Sequence, residues 1–256
     1  MSITDKEEFT QLFYSRQLML KELGSDGQKK LAESKVAVVG VGGLGSVCSL
    51  YLALAGVGYL RLIDHDTVET RNLHRQILYT QSDLHRSKVE VAAEKLRRHN
   101  SLVQVEAIQK KVDAENPLAL VRGVDVVVDC LDNFQTRYFL NRACVALHVP
   151  YVFGAVTGLE GNLSVFDPPK TGCLECTLHK TDAARGAFGI LGASAGILGS
   201  LQALETLKLL AGFGSGLTGK MLVCDFRDMD FAVISLPKNP RCPVCHKSSQ
   251  DRSSRT

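Results

Sequence analysis

The sequence predicts an α/β fold: a Rossmann-like, doubly wound and mainly parallel sheet, extended by a smaller mixed or antiparallel C-terminal layer. Three observations predict it. From Val36 to Ala155, short β-branched runs alternate with helix-period stretches, giving β-α-β-α-β-α-β-α-β. The first run, Val36 to Val39, is followed at once by Gly40, Gly42, Gly43 and Gly45, then by an apolar helix and a second run that ends on Asp64. After Thr157 come three shorter runs, Gly161 to Phe166, Met221 to Phe226 and Phe231 to Ser235, which read as strands of a mixed, partly antiparallel layer that extends or covers the first sheet.

Size and composition are consistent with this. A chain of 256 residues with 45% hydrophobic and 22% charged side chains can bury one large core. Its net charge of +3 gives no electrostatic footprint for nucleic acid or for a membrane surface. Met1 to Leu20 carries early acids and no apolar h-region, so no secretory signal is read and a cytoplasmic location is expected. The uncharged stretch from Gly186 to Leu204 raises the question of a membrane span. Its glycines, Ser194, Ser200 and Gln202 instead suggest a glycine-rich loop followed by a buried helix from Ala195 to Leu210.

Taken in order, residues 1–35 form N-terminal helices, with Gly24-Ser25 as a break and Ser25 as a cap for the second helix. Residues 36–156 form the nucleotide-binding α/β unit. In it, strand, glycine turn, helix, strand and acid stand in the order of the dinucleotide-binding fingerprint. The glycines bring backbone amides close to phosphate, the helix N-terminus adds partial positive charge, and Asp64 is placed to accept from ribose hydroxyls. A long polar connection, residues 67–85, follows, then a helix over Arg86 to His99 and a strand over Leu102 to Ile108. Asn116-Pro117 starts a short helix, Val124 to Asp129 is a strand, Asn133 to Leu147 a helix, and Tyr151 to Ala155 a strand. Residues 157–246 complete the same domain, and the Ser-rich tail 247–256 reads as disordered.

Three groups of residues carry chemistry. Cys173 and Cys176, with Cys242 and Cys245, are two CxxC knuckles whose four thiolates can close a tetrahedral structural zinc site. Redox pairs, or thiols that are simply reduced, are the alternatives. The other four cysteines, Cys48, Cys130, Cys144 and Cys224, sit singly in apolar patterns and read as small core residues. In the second group, Arg71, Asn72, Arg75, Gln76 and Lys88 follow Asp64 at the ligand edge of such a sheet. Arg75 and Lys88 can meet the charge of a triphosphate, while a solvated surface loop is the plainer reading. In the third, Asp129, Asp132 and Asn133 lie between an apolar strand and a helix. Asp132 can hold magnesium against a triphosphate or cap the helix.

In order along the chain, GVGGLG, DHDTVETRNLHRQ, HRSKVEVA, DCLDNFQTR, GLEGNLSVF, the paired CxxC and GILGSLQALETLKLLAG resemble one family over roughly Tyr14 to Cys245. It is the MoeB/ThiF (HesA) family of adenylyltransferases, relatives of ubiquitin-activating enzymes. The resemblance implies use of ATP and Mg2+ to adenylate the C-terminal glycine of a small ubiquitin-like sulfur carrier of MoaD/ThiS type ending in Gly-Gly. The product would serve sulfur transfer in molybdopterin or thiamine biosynthesis. By motif position, Gly40, Gly42, Gly43, Gly45, Asp64, Arg71, Asn72, Arg75, Lys88, Asp132 and Asn133 would bind ATP. Arg16, Arg75, Lys88 and Asp132 would be catalytic, with Arg16 reaching into the partner subunit of a homodimer. The four paired cysteines match the family's Zn2+ ligands.

Two features depart from the family pattern. Arg71 stands where relatives carry serine, and Thr177 to Ala195 has no cysteine where many relatives carry a reactive one, with Arg185 near that place. No sulfurtransferase region is read after the zinc knuckles, so a separate sulfur donor is expected. An NAD-dependent oxidoreductase on the same fold, or a catalytically inactive nucleotide-binding scaffold, are the competing readings.

Overall fold

The computed structural model describes residues 3–178, 189–214 and 216–246. The expected C-terminal tail and Arg185 lie outside the described residues. Three helices precede the sheet: α1 (Ile3–Phe13), α2 (Ser15–Leu18) and α3 (Gly24–Glu33). The break falls at Gly24, which takes φ +54, but Ser25 does not cap α3. The helix begins two residues earlier than that cap requires, at Gly24, and its N-cap position is Leu23, with no side-chain cap.

Among the described residues eight strands form one sheet in the order β3-β2-β1-β4-β5-β6-β7-β8. The parallel part consists of β1 (Lys35–Val39), β2 (Tyr59–Ile63), β3 (Gln104–Ile108), β4 (Val126–Asp129) and β5 (Tyr151–Thr157). The antiparallel part consists of β6 (Glu160–Phe166), β7 (Lys220–Asp225) and β8 (Asp230–Ser235). The C-terminal strands therefore extend the sheet edge to edge and do not cover it.

Helices α4 (Gly43–Ala55), α5 (Lys88–His99) and α9 (Gly192–Ala211) supply one face. Helices α6 (Pro117–Val121) and α7 (Phe134–Leu147) supply the other, and the short α8 (Leu174–Thr177) follows β6. Strand alternation sorts the central strand between the two layers. Val36 and Val38 pack with Leu52, Leu96 and Leu198, whereas Ala37 and Val39 pack with Leu120, Tyr138 and Leu140. Buried on both faces, β1 needs no polar residue after Lys35, and it has none.

Small residues set how closely α9 approaches α4. A Cβ at Gly199 would come within 2.5 Å of the Leu44 carbonyl oxygen, and one at Gly43 within 3.1 Å of Ala195. The helix starts at Gly192, three residues ahead of the sequence reading, where Leu191 turns extended. Among the described residues no helix is long and apolar enough to cross a membrane.

Candidate active site

Strand order reverses direction at β1: the chain moves outward through β2 and β3, then returns to place β4 on the other side. The carboxyl ends of β1 and β4 therefore flank a crevice of the kind in which open α/β sheets bind ligands. The glycine turn lies there. Gly40 takes φ +88, and a Cβ on it would lie 2.6 Å from the Cys130 carbonyl oxygen, so turn and β4 meet in backbone contact. Gly42 is the N-cap of α4 and provides no side-chain cap. The first-turn amides of this 13-residue helix thus have no capping side chain, which suits an anionic ligand. Asp64 buttresses the turn: its Oδ2 accepts the Val41 N–H at 2.8 Å and its Oδ1 accepts the Asp66 N–H at 2.9 Å.

The long connection after Asp64 is ordered. Thr80 and Asp83 form a capping box, and Asp83 is further bound by Lys95. Asn72 is buried, and its carbonyl accepts the N–H groups of Arg75 and Gln76, both at 3.1 Å. Arg75 lies against the glycine turn, since a Cβ at Gly43 would be 3.9 Å from the Arg75 Cδ. Its Nη1 donates to the Arg71 carbonyl at 2.8 Å. Arg71 itself is exposed, and its guanidinium is paired with Glu69. Gln76 is buried beside Gly42, and its Oε1 has no hydrogen-bond partner among the described residues, leaving an acceptor next to the turn.

Lys88 is 4% exposed, and its Nζ lies 2.8 Å from the Asp66 carboxylate. Burial pushes the Asp66 carboxyl up, but the hydrogen bond and charge of Lys88 outweigh it and hold it below its ordinary value. Gln76 belongs to the group that the sequence places at the ligand edge, whereas Asp66 does not; a second acid two residues after Asp64 is the signal that points to it. Tyr79 joins the two halves of the site. Its hydroxyl donates to the Val41 carbonyl at 2.8 Å and lies 3.3 Å from the Lys88 carbonyl.

Asp132 had two readings, and the structure removes one. The N-cap of α7 is Asn133, whose Oδ1 accepts the Thr136 N–H at 3.0 Å. Among the described residues the exposed Asp132 carboxylate has only a 3.3 Å contact with the Asn133 amide. An open carboxylate at the crevice fits a magnesium ligand.

Arg16 stands apart. On α2, the neighbouring Gln17 donates to the Ala55 carbonyl at 3.1 Å, at the C-terminal end of α4. The glycine turn is at the other end of that helix, about 20 Å away along its axis. Within one chain Arg16 is not brought together with Arg75, Lys88 and Asp132.

The four paired cysteines do converge. All are buried, and their sulfurs lie within 4.8 Å of one another. Cys173 and Cys242 Sγ are 3.7 Å apart, and Cys176 and Cys245 Sγ are 3.4 Å apart. Tetrahedral coordination at about 2.3 Å places sulfurs about 3.8 Å apart, so the set fits zinc. Both knuckles thus meet at one point, as a single four-sulfur metal site requires, and all eight cysteines are free. Burial pushes the Cys242 thiol up, but the amides of Cys245 and Val244 outweigh this and bring it below its ordinary value.

Comparison with known proteins places these features among relatives. The model of the ThiF family matches residues 14–244. A sulfur carrier protein adenylyltransferase of Thermus thermophilus is 42% identical over 253 residues, covering 94% of this chain and 92% of that protein. The adenylyltransferase and sulfurtransferase MOCS3 of Mus musculus is 46% identical over 242 residues, covering 91% of this chain and 52% of its own length. The chain thus spans about half the length of the MOCS3 relatives. Among solved structures, E. coli MccB with ATP superposes with a TM-score of 0.79 at 26% identity, covering 86% of this chain and 69% of that one. E. coli MccB with MccA-N7isoASN gives 0.83 at 25% identity, covering 92% and 74%.

Proposed function

The chain belongs to the ThiF family and is an adenylyltransferase of the ubiquitin-activating type, and from that premise we propose that it activates the C-terminal glycine of a small ubiquitin-like sulfur carrier protein ending in Gly-Gly. The carrier is of MoaD/ThiS type, and the pathway is molybdopterin or thiamine biosynthesis. The carrier carboxylate attacks the α-phosphorus of ATP, an acyl–O–P bond forms, the bond to the β-phosphate oxygen breaks, and pyrophosphate leaves.

The observation that carries this reading is the attachment of three functional groups to one glycine turn. Arg75 lies against Gly43, Lys88 shares Tyr79 with Val41, and Asp132 follows Cys130, whose carbonyl abuts Gly40. In the proposal, the turn amides and the N-terminus of α4 hold phosphate, and Asp64 takes the ribose. Arg71, Asn72 and Asn133 border the nucleotide. Arg75 and Lys88 stabilise charge on the departing pyrophosphate. Asp132 would hold magnesium, which when bound supplies charge neutralisation on the triphosphate. Arg16 of the partner subunit completes the site in a homodimer, in keeping with its distance from its own chain's turn. Residues 157–246 receive the carrier. In this reading sulfur is supplied by a separate donor.

Presence of Arg75, Lys88 and an uncommitted Asp132 speaks against an inactive scaffold, and the family membership speaks against an oxidoreductase. The test is ATP–pyrophosphate exchange with a panel of carriers ending in Gly-Gly. At least one should support exchange, and Asp132→Asn should abolish it. Exchange with none, or retention in the variant, would count against the proposal.

A further inference from the structure

Beneath the connection that carries Asp132 lies a buried ion pair that the reaction itself does not use. Asp129 closes β4 and is fully buried, and Arg137 stands on the first turn of α7. The Arg137 Nε lies 3.4 Å from Asp129 Oδ2, and the Tyr151 hydroxyl donates to the same oxygen. Both members reach the backbone of Leu131. Asp129 Oδ1 accepts the Leu131 N–H at 2.9 Å, and Arg137 Nη2 donates to the Leu131 carbonyl and, at 2.8 Å, to the Gly154 carbonyl.

A buried pair of this kind is weak evidence of stabilisation, because desolvation offsets the Coulomb gain. Its geometry offers a better reason. Leu131 lies outside both β4 and α7, so its N–H and C=O have no ladder or helix partner, and inside the protein both need one. The pair supplies them. The carbonyl held by Arg137 belongs to the peptide group joining Leu131 to Asp132, so it sets the plane from which the Asp132 Cα departs. Lysine cannot do this, since it has no planar fork to reach two carbonyls and a carboxylate at once. The guanidinium also lies 4.8 Å from the centre of the Phe153 ring, which fixes it from the side.

We infer that Arg137, acting through the Leu131 carbonyl, is a positioning residue that aims the Asp132 carboxylate for magnesium and triphosphate. This rests on the adenylyltransferase reading given above.

The experiment compares wild type, Arg137→Lys, Asp132→Asn and the double variant. Amide exchange over residues 130–133 is measured without nucleotide, and ATP affinity is measured by calorimetry with and without magnesium. In Arg137→Lys, exchange over 130–133 should accelerate while the amides of β4 and α7 keep their protection. ATP affinity in chelator should hold, and the gain conferred by magnesium should fall about tenfold, the scale of losing a residue that orients a metal ligand. The double variant should match Asp132→Asn alone. Should Arg137→Lys fold poorly, the joint change Asp129→Asn with Arg137→Gln buries no charge and should show the same loss. A magnesium gain that survives in a less stable variant, or losses that add in the double variant, would overturn the inference. Unchanged exchange over 130–133 overturns it alone. A wild-type protein whose ATP affinity ignores magnesium overturns it together with the function assigned to Asp132.

Discussion

Lys88 and Asp66 meet at 2.8 Å with unequal exposure: the Lys88 side chain is almost wholly buried, and the Asp66 side chain is 48% exposed. The ammonium thus depends on a carboxylate at the rim of the crevice.

A pH dependence follows from that pair. Burial raises the Asp66 carboxyl and Lys88 more than reverses this, so its pKa is lower folded than unfolded. Such a group adds stability above its unfolded pKa, near 3.8, and loses it as pH falls through the lowered folded value. Urea unfolding should show Asp66→Asn less stable than wild type at pH 7, with the difference shrinking at pH 3. A constant difference would show that the pair does not titrate with folding.

Zinc should be present at one ion per chain by elemental analysis. Chelation or Cys242→Ser should lower the unfolding midpoint, because the metal binds the folded cluster and not the open chain. Metal-free protein of unchanged midpoint would argue that the four sulfurs are reduced thiols and no more.

Arg16 should act across the subunit boundary. Arg16→Ala and Asp132→Ala chains, each inactive alone, should regain pyrophosphate exchange when mixed, with about one working site per heterodimer. A mixture as silent as its components would place all catalytic groups within one chain.

Adenylation should proceed without a thioester to the enzyme. The expected cysteine-free segment lies partly outside the described residues, but Cys48, Cys130, Cys144 and Cys224 are all buried. Burial also pushes the thiols of Cys130, Cys144 and Cys224 up, disfavouring the thiolate that such chemistry needs. Alanine at each of the four positions should leave exchange largely intact. A carrier adduct that survives denaturation, yields to thiol reductant and vanishes with one of these cysteines would contradict this.

Much of the fold was legible because its signals are local. Val36 to Val39 with the glycines behind it announces strand and turn, and paired CxxC knuckles announce a metal cluster however far apart they stand. Less was legible where the answer depends on what lies alongside. Asp132 and Asn133 are adjacent polar residues before a helix, and only the backbone path shows that Asn133 caps α7 and leaves Asp132 open. Asp66 looks like any loop acid until Lys88, on α5, folds over it. Ser25 has the chemistry of a cap, yet the left-handed turn at Gly24 starts the helix before it. Whether β6, β7 and β8 extend the sheet or cover it depends on pairing partners, which alternation within a strand does not encode.

β1 meets β4 across a long detour: the Lys35 amide is bonded to the Asp125 carboxylate, 90 positions away. The hairpins β5–β6 and β7–β8 join neighbours in the chain. Closing a long loop has an entropic cost that near neighbours escape, so distant pairings tend to form late. The expectation is that the crevice is the final seam of the parallel sheet to shut during folding, and that a nascent chain carries the glycine turn for some time with one wall missing. ATP would then recognise only finished molecules. Pulse-labelled exchange during refolding should find the amides of β4 protected after those of the two hairpins, and the opposite sequence would disprove this order of assembly.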